Sequence, residues 1–169
     1  MDATALKAMQ APLKEAYRSD AAQALITLRA RGSIDDQSIA CKVETGRALA
    51  VAGLHPATGG SGLELCSGDM LLEALVACAG VTLKAVATAL DIPLKSAAVS
   101  AEGDLDFRGT LGVAKDAPVG FRQIRLRFDV ATEAPQDKLD QLLKLTERYC
   151  VVFQTIKSGP PVDVQLARI

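Results

Sequence analysis

The chain of 169 residues carries 19 basic and 20 acidic side chains, and neither sign is collected into a long block. This length suits one domain with a hydrophobic core that needs no disulfides, and the balanced charge argues against nucleic acid or an anionic membrane as a partner. The first twenty residues, MDATALKAMQAPLKEAYRSD, lack the apolar region and small-residue cleavage site of a secretory signal, so we expect a cytoplasmic protein with reduced thiols.

The first third of the chain changes from helical to strand-like periodicity. Apolar residues recur at three- and four-residue intervals over residues 3–17, which predicts an amphipathic helix. From Ala22 the period becomes two, which is typical of strands. We predict strands around 26–30, 39–43 and 49–51, turns at Gly32–Asp36 and Thr45–Arg47, and then a glycine-rich loop, HPATGGSG.

The longest apolar stretch, Met70–Leu90, predicts a long helix. Its length approaches the ~20 residues that a bilayer span needs. However, Glu73 and Lys84 lie within it, and charges are costly in lipid. We therefore expect a core or interface helix rather than a membrane span.

The second half of the chain predicts a β-hairpin, a helix and a final strand. The predicted strands are Val99–Phe107 and Phe121–Ala131, followed by a helix from Pro135 that carries Leu139, Leu143, Thr146, Cys150 and Phe153 on one stripe, and then a strand over Val162–Leu166. Because hairpins outnumber crossovers, the pattern favours an α+β fold with an antiparallel sheet.

Four cysteines and one histidine are the residues with the most chemical potential. Cys41, Cys66, Cys78 and Cys150 show no CxxC or Cys/His spacing, so we expect no zinc site. Cys41 alternates within a strand, which favours packing, and the lone His55 receives no role. Cys66 stands beside the predicted helix start at Ser67, where the helix dipole can lower a thiol pKa, and is a secondary candidate.

Cys78 lies on a stripe with Leu71, Leu75 and Thr82, at the spacing of a packed helix face. Taken alone, it is explained better by packing than by chemistry, because free cysteine often acts as a small buried hydrophobe.

Two segments in a fixed order carry a family resemblance. GGSGLELCSGDMLLEALVACAGVTL resembles the glycine-rich loop and central helix of the OsmC/Ohr family, and ERYCVVFQTI resembles its second-cysteine motif, with 72 positions between the two cysteines. The resemblance covers about residues 22–168. We therefore expect an N-terminal helical extension over 1–20 and an OsmC-like domain over 21–169.

The resemblance implies antiparallel sheets wrapped around two long central helices in an intertwined homodimer, with two sites at the subunit interface. It also implies thiol chemistry at those sites, in which Cys78 attacks a peroxide and Cys150 resolves the product as a disulfide. An external dithiol then restores both thiols, and no metal or organic cofactor is expected.

The peroxidase branch of the family also uses an arginine and a glutamate to orient the reacting thiol. Arg31 matches the arginine. The glutamate position, ten residues before the cysteine, holds Gly68; Asp69 lies at nine residues, as in some relatives outside that branch, and Glu73 is a weaker alternative. An acid in the first turn also stabilises a helix dipole without any catalytic duty. Ser67 and Val151 stand where the family usually has proline.

These observations leave three hypotheses. The first is a thiol peroxidase for organic hydroperoxides that uses Cys78, Cys150, Arg31 and Asp69. The second is a non-enzymatic dimer that binds a small apolar or thiol-containing ligand at the subunit interface, and the displaced acid favours it. In the third, the cysteines only fill core space.

Overall fold

The computed structural model describes residues 2–19, 31–34, 40–44, 49–112 and 114–168. Five helices and six strands occur in this part of the chain. In chain order they are α1 (Ala3–Ser19), β1 (Arg31–Ile34), β2 (Ala40–Glu44), β3 (Leu49–Gly53), β4 (Leu65–Cys66), α2 (Ser67–Ala89), β5 (Ser96–Asp104), α3 (Phe107–Thr110), β6 (Gln123–Ala131), α4 (Gln136–Tyr149) and α5 (Val151–Ser158), with a 3₁₀ turn at Pro56–Thr58. The predicted α+β class is confirmed.

The strands form two sheets. One has the order β1-β2-β3-β4, antiparallel except for the last, parallel pair; the other is the antiparallel pair β5-β6. The turn predicted at Gly32–Asp36 is wrong at its start, because β1 continues through Ile34 and Gly32 pairs with Val43. The strand predicted around 26–30 and the turn at Thr45–Arg47 lie outside the described residues.

The long helix α2 is the centre of the fold and begins at Ser67, as predicted. Its buried residues recur every four positions, which aligns them in one stripe: Leu75, Ala79, Leu83 and Ala87. The helix contacts α1, β5, α4 and α5. Length and composition alone would let α2 span a membrane, but core helices of soluble proteins meet the same criterion.

The core at the C-terminal end of α2 is completed by Ile92, which follows the helix, and by α4. Leu83 and Ala87 pack with Ile92 and with Leu142 of α4. Full burial of a leucine-sized side chain stabilises a fold by about 1.5–3 kcal/mol, so this cluster anchors α4 to α2. The predicted N-terminal helix is confirmed as α1, in which Ala3 and Leu6 are buried.

The hairpin β5-β6 pairs Ser96 with Ala131 at one end and Asp104 with Gln123 at the other. The predicted extension of the first strand to Phe107 is wrong. The Asp106 carboxylate accepts a hydrogen bond from the Arg108 backbone N–H and caps α3, which ends the extended conformation.

The C-terminal region departs most from the sequence prediction. The expected continuous helix is interrupted at Cys150, whose φ of −74° and ψ of 108° are extended rather than helical. The strand predicted over Val162–Leu166 is also wrong, because residues 159–168 form no regular element and pair with none of the six described strands. Their apolar side chains are exposed: Val162 80%, Val164 87% and Leu166 102%.

Candidate functional site: a thiol pair at a helix N-terminus

Cys78 lies in the middle of α2, on the side of the helix that faces α5. It is half-buried and exists as a free thiol. One turn later, the Thr82 hydroxyl donates to the Cys78 carbonyl oxygen at 2.8 Å and also lies within hydrogen-bonding reach of the Cys78 sulfur. A rigid helix therefore holds the Cys78 sulfur in a polar but largely enclosed position.

The N-terminus of α5 meets the sulfur of Cys78. The backbone N–H groups of Val151 and Val152, the first two residues of α5, lie close enough to the Cys78 sulfur to lower its pKa. Unpaired N–H groups and the positive end of the dipole make a helix N-terminus a favourable place for an anion. The structure therefore provides Cys78 with a thiolate site.

Cys150, at the junction of α4 and α5, is the second member of the thiol pair. Its side chain is buried, with 1% exposed, and its thiol lies close enough to Cys78 for each thiol to shift the pKa of the other. The fold therefore brings the two thiols together, although their residues are 72 positions apart. This proximity is the arrangement from which a disulfide can form once one sulfur is oxidised.

The surroundings move the two thiol pKa values in opposite directions. Burial is the largest influence on Cys78 and raises its pKa, but the N–H groups of Val152 and Val151 and the Cys150 thiol together outweigh it, so the pKa of Cys78 is lowered. Burial also raises the pKa of Cys150, and the neighbouring Cys78 adds to the rise against the N–H groups of Phe153 and Val152. Because a thiolate is the nucleophilic form of cysteine, the lowered pKa makes Cys78 the more readily activated thiol of the two.

Asp69 lies in the first turn of α2 and is exposed. Nine residues separate it from Cys78, which at 100° per residue puts the two on opposite sides of the helix and about 13.5 Å apart along its axis. Asp69 and Glu73 instead line a shallow surface depression with Leu72 and Ala101. Neither acid is among the groups that shift the pKa of Cys78.

Arg31 is the first residue of β1, and its backbone pairs with Glu44. Its side chain lies outside the described residues, so its predicted role remains a prediction.

Cys66 and His55 are separate from the pair. Cys66 is half-buried at the N-cap of α2, twelve residues before Cys78 and about 18 Å from it along the helix. The Cys41 side chain lies outside the described residues. His55 accepts the Ala57 N–H through Nδ1 and stacks on Phe107, with ring centroids 4.9 Å apart, which is a structural duty.

The sequence did not indicate the groups that bind the Cys78 sulfur other than Cys150. Two of them are backbone N–H groups, which carry no side-chain signature, and they become available only because the helix breaks at Cys150. Among the described residues, no group of three or more His, Cys, Asp or Glu side chains could hold a metal ion.

Solved structures with the same fold come from several bacteria. The OsmC-like protein of Mycoplasma pneumoniae superposes with a TM-score of 0.65 at 14% identity, over 78% of this chain and 88% of its own. The Legionella pneumophila protein, described as the organic hydroperoxide resistance protein OsmC, gives 0.61 at 17% identity, over 79% and 90%. The organic hydroperoxide resistance protein OhrB of Bacillus subtilis gives 0.52 at 16% identity, over 79% and 93%.

The family assignment rests on the sequence as well. No curated protein matches the chain. The family model of the OsmC-like proteins matches residues 59–165, a range that includes all of α2 and both members of the thiol pair. The chain therefore belongs to the OsmC-like protein family.

Proposed function

We propose that this protein is a thiol peroxidase that reduces organic hydroperoxides in the cytoplasm. The observation that carries the proposal is the contact between Cys78 and Cys150 at the N-terminus of α5, where one thiol has a lowered pKa and the other a raised one. The similar proteins of L. pneumophila and B. subtilis are described as organic hydroperoxide resistance proteins, which supports this choice of substrate.

The thiol pair suits a two-step reaction. The Cys78 thiolate attacks one oxygen of the hydroperoxide, the O–O bond breaks, and the alkoxide takes a proton and leaves as the alcohol. Cys78 is then a sulfenic acid. The Cys150 sulfur attacks the Cys78 sulfur, and hydroxide leaves with the Cys150 proton as water, so that a disulfide forms. An external dithiol, oxidised to its own disulfide, returns both cysteines to thiols.

The proposal includes a homodimer. On α2, Leu71 is 41% and Val81 73% exposed, which is unusual for a long apolar helix at the centre of a fold. A second copy that packs on this side of α2 would bury both residues. We propose that the acid at each site comes from the second copy, because within one chain Asp69 and Cys78 lie on opposite sides of α2. In this proposed dimer we assign Arg31 and Asp69 as the groups that orient the reacting thiol.

Peroxide consumption with a dithiol reductant tests the function. Cys78→Ser should abolish consumption of cumene hydroperoxide, and Cys150→Ser should stop turnover and leave Cys78 as a sulfenic or more oxidised acid. Cys66→Ser is the matched control, because Cys66 is also a half-buried thiol but stands at the start of α2, far from the pair. This variant should consume peroxide at the wild-type rate. Unchanged consumption in Cys78→Ser would refute the assignment.

The second candidate is a non-enzymatic dimer that binds a small apolar or thiol-containing ligand at the subunit interface. The position of Asp69 favours it, because no carboxylate of the described residues is among the groups that shift the pKa of Cys78. This candidate predicts no peroxide consumption with any dithiol and a melting temperature that rises with ligand concentration.

A further inference from the structure

The break between α4 and α5 redirects two backbone N–H groups. In an uninterrupted α-helix, each N–H donates to the carbonyl four residues earlier, so Val151 would donate to Glu147 and Val152 to Arg148. The extended ψ of 108° at Cys150 prevents this. Both N–H groups lie beside the Cys78 sulfur instead and lower its pKa. The thiolate site therefore exists only while the helix stays interrupted.

The break leaves the Glu147 carbonyl without its helical donor. The side chain of Gln154 fills that place, because its Nε2 donates to the Glu147 oxygen at 2.8 Å. The backbone N–H of Gln154 also donates to the Cys150 carbonyl at 3.0 Å, as expected in the first turn of α5. Gln154 thus bonds to both sides of the junction, through its side chain to α4 and through its backbone to Cys150.

This exchange has a direct consequence for the thiol pair. We propose that Gln154 is a positioning residue: its amide occupies the Glu147 carbonyl and so leaves the N-terminus of α5 free to bind the Cys78 sulfur. The inference rests on the proposed function for its biological meaning, since it identifies what keeps the attacking thiol reactive. Gln154 itself has no contact with the sulfur among the described interactions.

Without the Gln154 amide, the carbonyl of Glu147 would compete for the Val151 N–H. Closing the helix by one hydrogen bond would satisfy that carbonyl and remove a donor from the Cys78 sulfur. The loss would favour the protonated thiol over the thiolate. Cys78 would therefore react more slowly at a given pH, although no atom near it had been substituted.

The test is the pH dependence of Cys78 alkylation by iodoacetamide, measured by peptide mapping on the full reduced chain. Gln154→Met keeps the length of the side chain and removes its N–H. We expect Gln154→Met to lower the alkylation rate of Cys78 at least about threefold at a pH below the pKa of Cys78. The whole curve of rate against pH should move to higher pH.

Gln136→Met is the matched control, because Gln136 donates an amide N–H to Asp140 at 2.8 Å on the exposed side of α4, away from the junction. Its profile should coincide with that of the wild type. A Gln154→Met profile that coincides with the control would overturn the proposal.

A second variant covers the case in which Gln154→Met does not fold. Gln154→Ala also removes the amide and places the residue with the highest helix propensity in α5, so the helix itself is favoured. It should show the same slower alkylation of Cys78, and a wild-type profile would overturn the proposal. Because alkylation uses no peroxide, the result is independent of whether the protein is a peroxidase.

Discussion

Replacing Val151 by proline removes one of the N–H groups that lower the pKa of Cys78 while the helix remains intact. Val151 is the first residue of α5, the helical position at which proline is most favoured, and its side chain is 68% exposed. Cys150 already has the extended φ and ψ that a residue before proline requires. Proline has no backbone N–H, and the Val151 N–H acts on the Cys78 sulfur rather than in a helical hydrogen bond.

The size of the effect follows from the charge on the acceptor. A hydrogen bond to a charged group contributes about 1.5–3 kcal/mol, and a diffuse sulfur anion belongs at the lower end. Since 1.4 kcal/mol is a factor of ten, Val151→Pro should reduce the thiolate population of Cys78 about tenfold at a pH below its pKa. The Val152 N–H remains, so the thiolate is weakened but still supported.

Alkylation of Cys78 with iodoacetamide, followed by peptide mapping, measures this population. We expect the acidic limb of the rate profile of Val151→Pro to fall about tenfold below that of the wild type. The melting temperature should hold or rise, because proline restricts the unfolded chain. An unchanged alkylation profile in a folded Val151→Pro protein would show that this N–H does not stabilise the thiolate.

Three further predictions concern pH, the core and a loop. In the wild type, alkylation should be selective for Cys78 at neutral pH, because the pKa of Cys78 lies below the ordinary 9.0. The lowered pKa also stabilises the folded state at a pH above the pKa of the unfolded chain, and this contribution is lost as the pH falls through the pKa of the folded state. Leu142→Ala, at a side chain 2% exposed, should cost about 2–5 kcal/mol in urea unfolding, and Leu143→Ala, at 44%, much less. Gly60→Ala should lower the melting temperature, since its Cβ would lie 1.7 Å from a backbone oxygen, whereas Gly120→Ala has open space and should not.

The elements with local signals were predictable from the sequence. The apolar period of Met70–Leu90 and the serine before it predict α2 because the signals lie within the helix itself. The β5-β6 hairpin follows from alternation, and β6 is confirmed within two residues of its predicted start. Periodicity fails at Val162–Leu166, where the alternation is present but none of the described strands pairs with the segment.

The candidate site was predictable only in part. The resemblance identified both cysteines, but no pattern along the chain indicates that α4 ends at Tyr149. The residues around Cys150 have good helical periodicity, and the break depends on groups far away in sequence, namely the Cys78 sulfur that receives the freed N–H groups. Glutamine at position 154 is a common surface residue in a helix, so its bond to Glu147 leaves no signal in the sequence.

If Cys78 and Cys150 form a reactive pair, one equivalent of cumene hydroperoxide should join them in a disulfide. The most direct measurement is the intact mass of the reduced protein before and after this treatment. We expect the reduced protein to lose two hydrogens and peptide mapping to place the disulfide between Cys78 and Cys150. We also expect the organic hydroperoxide to react faster than hydrogen peroxide. A protein that still carries four free thiols after this treatment would contradict it.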